Sequence, residues 1–363
     1  MGFTCGIVGL PNVGKSTIFN ALACSHAPAS NYPFCTIEPN KGIVQVPDSR
    51  LEKIAEIIKP PKVTHTHLEF LDIAGLVQGA SRGEGLGNQF LSHIRNVDVI
   101  AHVVRCFEDD RVIHVYTSID PVRDAGIVNT ELILADLETV EKKIEKAGKM
   151  LRVGDKNAAA DIEVYHKVKA VLDAGRPART LKLKDGEKEI VRNLFLLTDR
   201  PVFYVANVDE KELKEKKWVK LLEEVAKSEA ARVVAICGEV EAEVFELPEG
   251  ERDEFLKDLE IGESGIEKLV RVGYELLHLV TFYTTVGPEL RAWTVLKGTR
   301  SPQAAGKIHS DMEKGFIKAE VLSYDDFVTA GSVHAARDKG LLRMEGKEYE
   351  IKDGDIIYFR FSV

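Results

Sequence analysis

The sequence predicts an α/β protein: a parallel sheet flanked by helices, broken by an antiparallel helical hairpin and followed by a smaller α+β domain. Three observations carry this. Short apolar runs alternate with helical patterns early in the chain, one later stretch repeats apolar residues at alternating spacings of four and three, and the last part changes to Thr-, Tyr- and Val-rich runs. In order, the run Thr4 to Leu10 precedes a helical stretch from Lys15 to Cys24, Leu68 to Asp72 precedes a Gly-rich stretch, and Val99 to Phe107 follows another helix. Strands separated by crossovers imply parallel pairing. Pro201 to Val208, the charged helical stretch Lys211 to Ser228 and the run Ala231 to Cys237 continue the style, so the sheet pauses near residue 125 and resumes near residue 200.

Between these halves Ile133, Leu137, Val140, Ile144, Ala147 and Leu151 form a coiled-coil seam. Val164, Val168 and Val171 continue it beyond the turn-like Val153-Gly154-Asp155-Lys156-Asn157, which makes a hairpin. A long helix is expected from Gly265 to Val280. After it, about 83 residues with the runs TFYTTV, RAWTVLKG, FIKAEVL and DIIYFRFSV, a helix from Pro302 to Glu313 and the turn Asp353-Gly354 predict the separate α+β domain.

Length and charge narrow the class. With 363 residues, two or three domains with sizeable cores are expected. Hydrophobic residues make 44%, charged residues 29%, and Lys+Arg 49 against Asp+Glu 58 gives a net charge of −9, which excludes a disordered chain and a wholly basic nucleic-acid binder. Cys5, Cys24, Cys35, Cys106 and Cys237 stand far apart with no CxxC pair, against a disulfide framework and a zinc site. No basic run precedes the first apolar residues and no long uncharged apolar stretch follows. A cytoplasmic protein without membrane contact is expected.

The chemistry concentrates in Gly9-Leu10-Pro11-Asn12-Val13-Gly14-Lys15-Ser16, which fits GxxxxGK[ST] directly after a strand and before a helix. Its glycines let backbone N–H groups curl around phosphates, Lys15 reaches the β and γ phosphates, and Ser16 holds Mg²⁺. Val13, Gly14 and Thr17 complete the loop. A second strand ends in Asp72-Ile73-Ala74-Gly75, a DxxG pattern. Asp72 is expected to orient a magnesium-bound water and the Gly75 amide to meet a γ-phosphate. Thr36, between these anchors, is the expected switch threonine that closes over Mg²⁺.

At this point the chain resembles the Obg-like, YchF-type P-loop ATPases of the translation-factor-related class. The matching pieces are GLPNVGKST, NYPFCTIEPN, DIAGLVQGASRGEGLGNQFL, VRCFEDD with His114-Val115 and Asp120-Pro121, NVDE, TFYTTVGPELRAWTV and HSDMEKGFI. The resemblance implies an Obg-type G domain over residues 1–277 with a coiled-coil insertion at about 127–200, and a ubiquitin-like (β-grasp) TGS domain over 278–363 that serves as a ligand- or RNA-binding module.

Guanine-specific relatives carry NKxD, whose Asp accepts two hydrogen bonds from guanine while Lys packs on the ring. Here Asn207-Val208-Asp209-Glu210 stands in its place. Val208 lacks the cation and Glu210 is a methylene longer, so ATP is expected over GTP; an unpaired buried base edge costs about 1 to 3 kcal/mol, roughly ten- to hundredfold. Asp209 keeps a carboxylate nearby, which leaves relaxed base specificity as an alternative. Leu76 follows DxxG where Ras-like enzymes place the water-orienting Gln, and Gln78 is two positions late, so slow basal hydrolysis is expected. His114 is the replacement candidate for orienting or deprotonating water, with a structural hydrogen bond as its alternative role. Arg82 and Arg105 are weaker candidates for charge stabilisation. Asn12 is a candidate ligand for K⁺ beside the phosphates, with loop hydrogen bonding as the alternative.

Charge is uneven. Residues 127–200 hold 15 basic and 13 acidic side chains and residues 281–363 hold 12 of each, so the acidic excess lies in the core around the phosphate loop. Lys142, Lys143, Lys146, Lys149, Arg152 and Lys156 near the hairpin tip face only Glu141, Glu145 and Asp155, a stripe able to contact phosphates of a ribosome or structured RNA. The leading expectation is an ATP-hydrolysing switch acting on the ribosome or a translation-linked RNA assembly; a nucleotide-gated adaptor for protein partners is the alternative.

Overall fold

In a computed structural model, which describes residues 3–24, 41–73, 86–116, 118–155 and 157–362, the apolar runs become interior strands. The chain divides into two units, Met1–Val44 with Leu68–Gly273, and Gln45–His67 with Tyr274–Val363. In chain order the first seven strands are β1 (Phe3–Val8), β2 (Lys41–Gln45), β3 (Lys62–Thr64), β4 (His67–Asp72), β5 (Val99–Cys106), β6 (Val202–Val208) and β7 (Arg232–Ile236). The first sheet runs β2-β4-β1-β5-β6-β7, with β4, β1, β5, β6 and β7 parallel. Every residue of β5 and β6 is buried, the mark of parallel strands covered on both faces.

The expected hairpin lies between β5 and β6. Its first helix spans Pro121–Arg152, started by Asp120, whose side chain accepts from Arg123 N at 3.0 Å, and by Pro121 in the first turn. Its second spans Asn157–Asp173. Ile133, Val140, Ala147, Val164 and Val168 of the seam are buried together, whereas Leu151 is exposed at the tip. Two buried polar groups tie the first helix down. Asp136 accepts from Leu197 N and Thr198 N, both at 2.8 Å, and from Thr198 Oγ1 at 2.6 Å. Asn129 donates to Tyr204 Oη at 2.7 Å and Glu229 Oε1 at 2.8 Å.

The second unit holds a mixed sheet, β11-β10-β12-β8-β9-β3, whose remaining strands are β8 (Leu279–Val286), β9 (Glu289–Leu296), β10 (Phe316–Leu322), β11 (Arg343–Glu345) and β12 (Asp355–Phe361). β12 lies parallel to β8 and antiparallel to β10, the β-grasp arrangement. Residues 45–67, which sequence reasoning left inside the G domain, belong to this unit. Helix Ser49–Ile58 explains why: Leu51 and Ile54 are fully buried against Tyr283, Leu290 and Phe327, and Asp48 caps the helix while accepting from Tyr283 Oη at 2.5 Å. The helix expected to reach Val280 stops at Leu276, because His278 takes a left-handed φ of 51° before β8 begins. The helix expected from Pro302 to Glu313 is two, Ser301–Ile308 and Ser310–Lys314, split at extended His309, whose ring caps the second. Among the described residues no helix is long and apolar enough to cross a membrane.

Candidate nucleotide site

The carboxyl ends of β1, β4, β5 and β6 meet at one edge of the sheet, because Ile7 registers with Asp72 and Arg105 with Asn207. The loop after β1 is shaped by close approach. A Cβ on Gly9 would lie 2.4 Å from Val103 O; one on Gly14, whose φ is +91°, would lie 2.1 Å from Asn207 Nδ2. Asn12 takes a left-handed φ of 61°, which its type tolerates, and its Nδ2 donates to Ile113 O at 3.1 Å. Asn207 locks the loop from β6: Nδ2 donates to Val13 O at 2.9 Å and Oδ1 accepts from Gly238 N at 3.2 Å.

Lys15 begins helix Lys15–Cys24, and its Nζ donates to Leu10 O at 2.7 Å. Burial pushes its pKa down to about 8, opposed by the neighbouring Asp72 carboxylate. Burial raises the pKa of Asp72, against the pull of Lys15 and a hydrogen bond from Ser16. Ser16 Oγ lies 3.5 Å from Asp72 Oδ2, while Asp72 Oδ1 is buried without a hydrogen-bond partner among the described residues. A buried carboxylate oxygen lacking a donor is costly, and a hard cation that takes oxygen ligands would satisfy it. The pair therefore fits Mg²⁺. The other expected ligands to phosphate and metal, Thr36 and Gly75, lie outside the described residues, as do Leu76, Gln78, Arg82 and Cys35.

A cavity of about 520 Å³ opens over this edge. Asn12, Gly14, Lys15, Ser16 and Thr17 line its phosphate end, and Asn207, Val208, Asp209, Gly238 and Glu239 line another side. Val13 is buried and serves through its carbonyl. Glu210 departs from expectation: it is absent from this lining and borders a separate cavity of about 500 Å³ beside Leu213 and Lys214. The cause is local. Asp209 Oδ1 accepts from Glu212 N at 2.7 Å as the N-cap of helix Glu210–Glu215, so Glu210 becomes the first helical residue. The third wall, formed by Phe107, Glu108, Asp109, Arg111 and Val112, was missed; its signal was a run of acids directly after a buried strand.

The catalytic candidates beyond Lys15 are committed elsewhere in this structure. His114 does not line the cavity. Its Nε2 lies 2.8 Å from Asp124 Oδ2, and Nδ1 faces Tyr116 O at 2.6 Å and Tyr116 N at 3.0 Å. The same Asp124 accepts from Arg123 through Oδ1 at 2.9 Å. Arg105, expected as a charge stabiliser, is buried and directs its guanidinium to backbone carbonyls. Cys5, Cys106 and Cys237 are buried free thiols whose pKa values burial raises.

Comparison with known proteins adds independent findings. A family model described as 50S ribosome-binding GTPase matches residues 4–143, and one for the C-terminal part of YchF GTPases, described as a protein of unknown function, matches residues 279–362. The chain is 49% identical over 366 residues to the Ribosome-binding ATPase YchF of Bacillus subtilis, covering 100% of both. It is 49% identical over 363 residues, again covering 100% of both, to the protein of that name from Escherichia coli O157:H7. The solved structure of the Schizosaccharomyces pombe YchF GTPase matches with a TM-score of 0.90 at 37% identity, covering 99% of this chain and 98% of that one.

Proposed function

The chain belongs to the YchF family, and from that premise we propose that it is an ATP-binding, slowly ATP-hydrolysing switch that works on the ribosome. The observation that carries the nucleotide part is the cradle itself: Gly14 packed on Asn207, Lys15 buried at the loop, and Ser16 beside Asp72, whose other oxygen has no donor among the described residues. A triphosphate entering this cradle draws the Lys15 ammonium from Leu10 O to its β and γ oxygens. Ser16 would hold Mg²⁺ directly and Asp72 through water, and the cation would neutralise charge on the phosphates. Preference for adenine is supported by the lining: Val208 offers no cation, Glu210 is absent from it, and one oxygen of Asp209 is engaged by Glu212 N. Slow turnover is supported by the binding of His114 to Asp124, since orienting water requires the ring to leave that partner.

The ribosomal part is supported by the relatives' names and by the hairpin. Lys142 and Lys149 pair with Glu138 and Glu145, while Lys143, Lys146 and Arg152 make no ion pair among the described residues. Such unpaired cations suit RNA phosphates. A GTPase with relaxed base specificity is the second reading, favoured by the description of the matched family as GTPases and by the fission-yeast relative, which is itself called a GTPase. The deciding experiment measures turnover of ATP and GTP with and without ribosomes, in Na⁺ and in K⁺ buffers. ATP should be preferred by at least about tenfold and ribosomes should alter the rate. A hundredfold preference for GTP would overturn the assignment, and equal rates in the two cations would remove K⁺ at Asn12 from the mechanism.

A further inference from the structure

Arg105 stands opposite Asn207 in the β5–β6 register, at the edge where the cavity opens. It is 2% exposed, yet no carboxylate pairs with it among the described residues. Instead Nε donates to Phe107 O at 3.2 Å, Nη1 to Val112 O at 2.9 Å and Nη2 to Asp109 O at 3.0 Å. The guanidinium also stacks over the Phe107 ring, 4.5 Å from its centroid. A buried cation whose hydrogen bonds go to carbonyls rather than to a carboxylate is energetically costly, and burial shifts its pKa down against the opposing charges of Asp109 and Asp124. What the guanidinium gathers is one segment. The chain from Phe107 to Val112 reverses around it, and the outer side of that reversal lines the cavity. A lysine could reach one carbonyl at a time; only a planar fork spans three.

We propose that Arg105 is the positioning residue for the nucleoside half of the site: by holding the carbonyls of Phe107, Asp109 and Val112 it sets the wall against which the base and ribose bind. Gly14, Lys15 and Ser16 of the phosphate grip make no hydrogen bond to Arg105 among the described residues, and Asn12, through Ile113 O, is the contact that links the loop to this wall. The inference rests on the nucleotide reading of the cavity, and the two can fail separately.

The test compares dissociation constants for Mg-ATP and for inorganic tripolyphosphate in the full-length protein and in the variants Arg105→Lys and Arg105→Met. The ratio of the two constants isolates the nucleoside contribution, which a general loss of stability would not change. Both variants should keep tripolyphosphate affinity and lose at least about tenfold in ATP affinity, with KM for ATP rising more than kcat falls, and Arg105→Lys should retain more than Arg105→Met. An unchanged ratio, or a proportional loss of both ligands, overturns the role of Arg105. So does failure of both variants to fold, which would assign the side chain to the core. Failure of the unsubstituted protein to bind either ligand refutes the nucleotide reading instead, and this proposal with it.

Discussion

Raising the pH should weaken triphosphate binding, and the size of the loss can be worked from Lys15. Its ammonium is buried and its pKa lies at about 8, below the ordinary lysine value of 10.5. A bound phosphate chain favours the charged form, so the complex has the higher pKa and binding in alkaline solution takes up a proton. With a free-state value of about 8, the protonated fraction falls from about nine-tenths at about pH 7 to about one-tenth at about pH 9, so Kd rises about tenfold, or about 1.4 kcal/mol. The γ-phosphate has its second ionisation at about pH 6, below this window. Calorimetric titration of Mg-ATP in two buffers of different ionisation enthalpy measures both Kd and the proton uptake. Lys15→Met should bind weakly and without this slope. A flat profile in the unsubstituted protein, or the same slope in Lys15→Met, would refute the reasoning. Unfolding gives the opposite sign: a lysine with a depressed folded pKa binds fewer protons folded than unfolded, so the stability of the nucleotide-free protein should rise with pH between about 8 and about 10.5, by at most about 3 kcal/mol.

Gly14→Ala would drive a Cβ to 2.1 Å from Asn207 Nδ2 in a left-handed conformation; thermal melting should show a loss of at least about 1 to 3 kcal/mol, and nucleotide binding should fall with it. Asp136→Ala strands two backbone N–H groups and a hydroxyl, and denaturant unfolding should report a loss of at least about 1 to 3 kcal/mol with the nucleotide site unchanged in the folded fraction. His114→Ala should lose hydrolysis while retaining ATP binding; turnover equal to that of the unsubstituted protein would eliminate this histidine from the mechanism.

Legibility followed physical range. The phosphate loop, the two hydrophobic halves of the sheet and the hairpin seam could be read because each is specified by neighbours in sequence: a glycine pattern, a continuous apolar run, a period of 3.5. Helix Ser49–Ile58 carries a comparable local signal, with Asp48 as cap and Leu51, Ile54 and Ile58 on one stripe, and was overlooked. Its membership in the second unit was not readable, because its partners Tyr283, Leu290 and Phe327 lie more than two hundred residues away. Glu210 shows a related limit. Its place in the NVDE tetrapeptide suggested a base contact, but the direction of its side chain is decided by the cap that Asp209 forms with Glu212.

The wall after β5 shows the limit of residue type as a guide to chemistry. Arg105 and His114 were picked out because a guanidinium can stabilise charge and an imidazole can orient water, and both do border the segment that closes the site. Their polar atoms, however, are already satisfied: Arg105 by three carbonyls, and His114 by Asp124 and Tyr116. For Arg105 the bonds are the function, since a guanidinium left buried without its carbonyls would bear the full desolvation cost. For His114 the bond can be exchanged, because Asp124 would keep Arg123 as a partner on its other oxygen. Asymmetry of this kind lets one end of the wall stay fixed while the other releases a side chain. It also places the group whose release would govern turnover against the first helix of the hairpin, Pro121–Arg152. A ribosome that displaced this helix would therefore act on hydrolysis through Asp124 rather than through the phosphate loop. Asp124→Ala, which frees the His114 ring from this bond while keeping the imidazole, should then raise basal turnover and reduce the further stimulation by ribosomes.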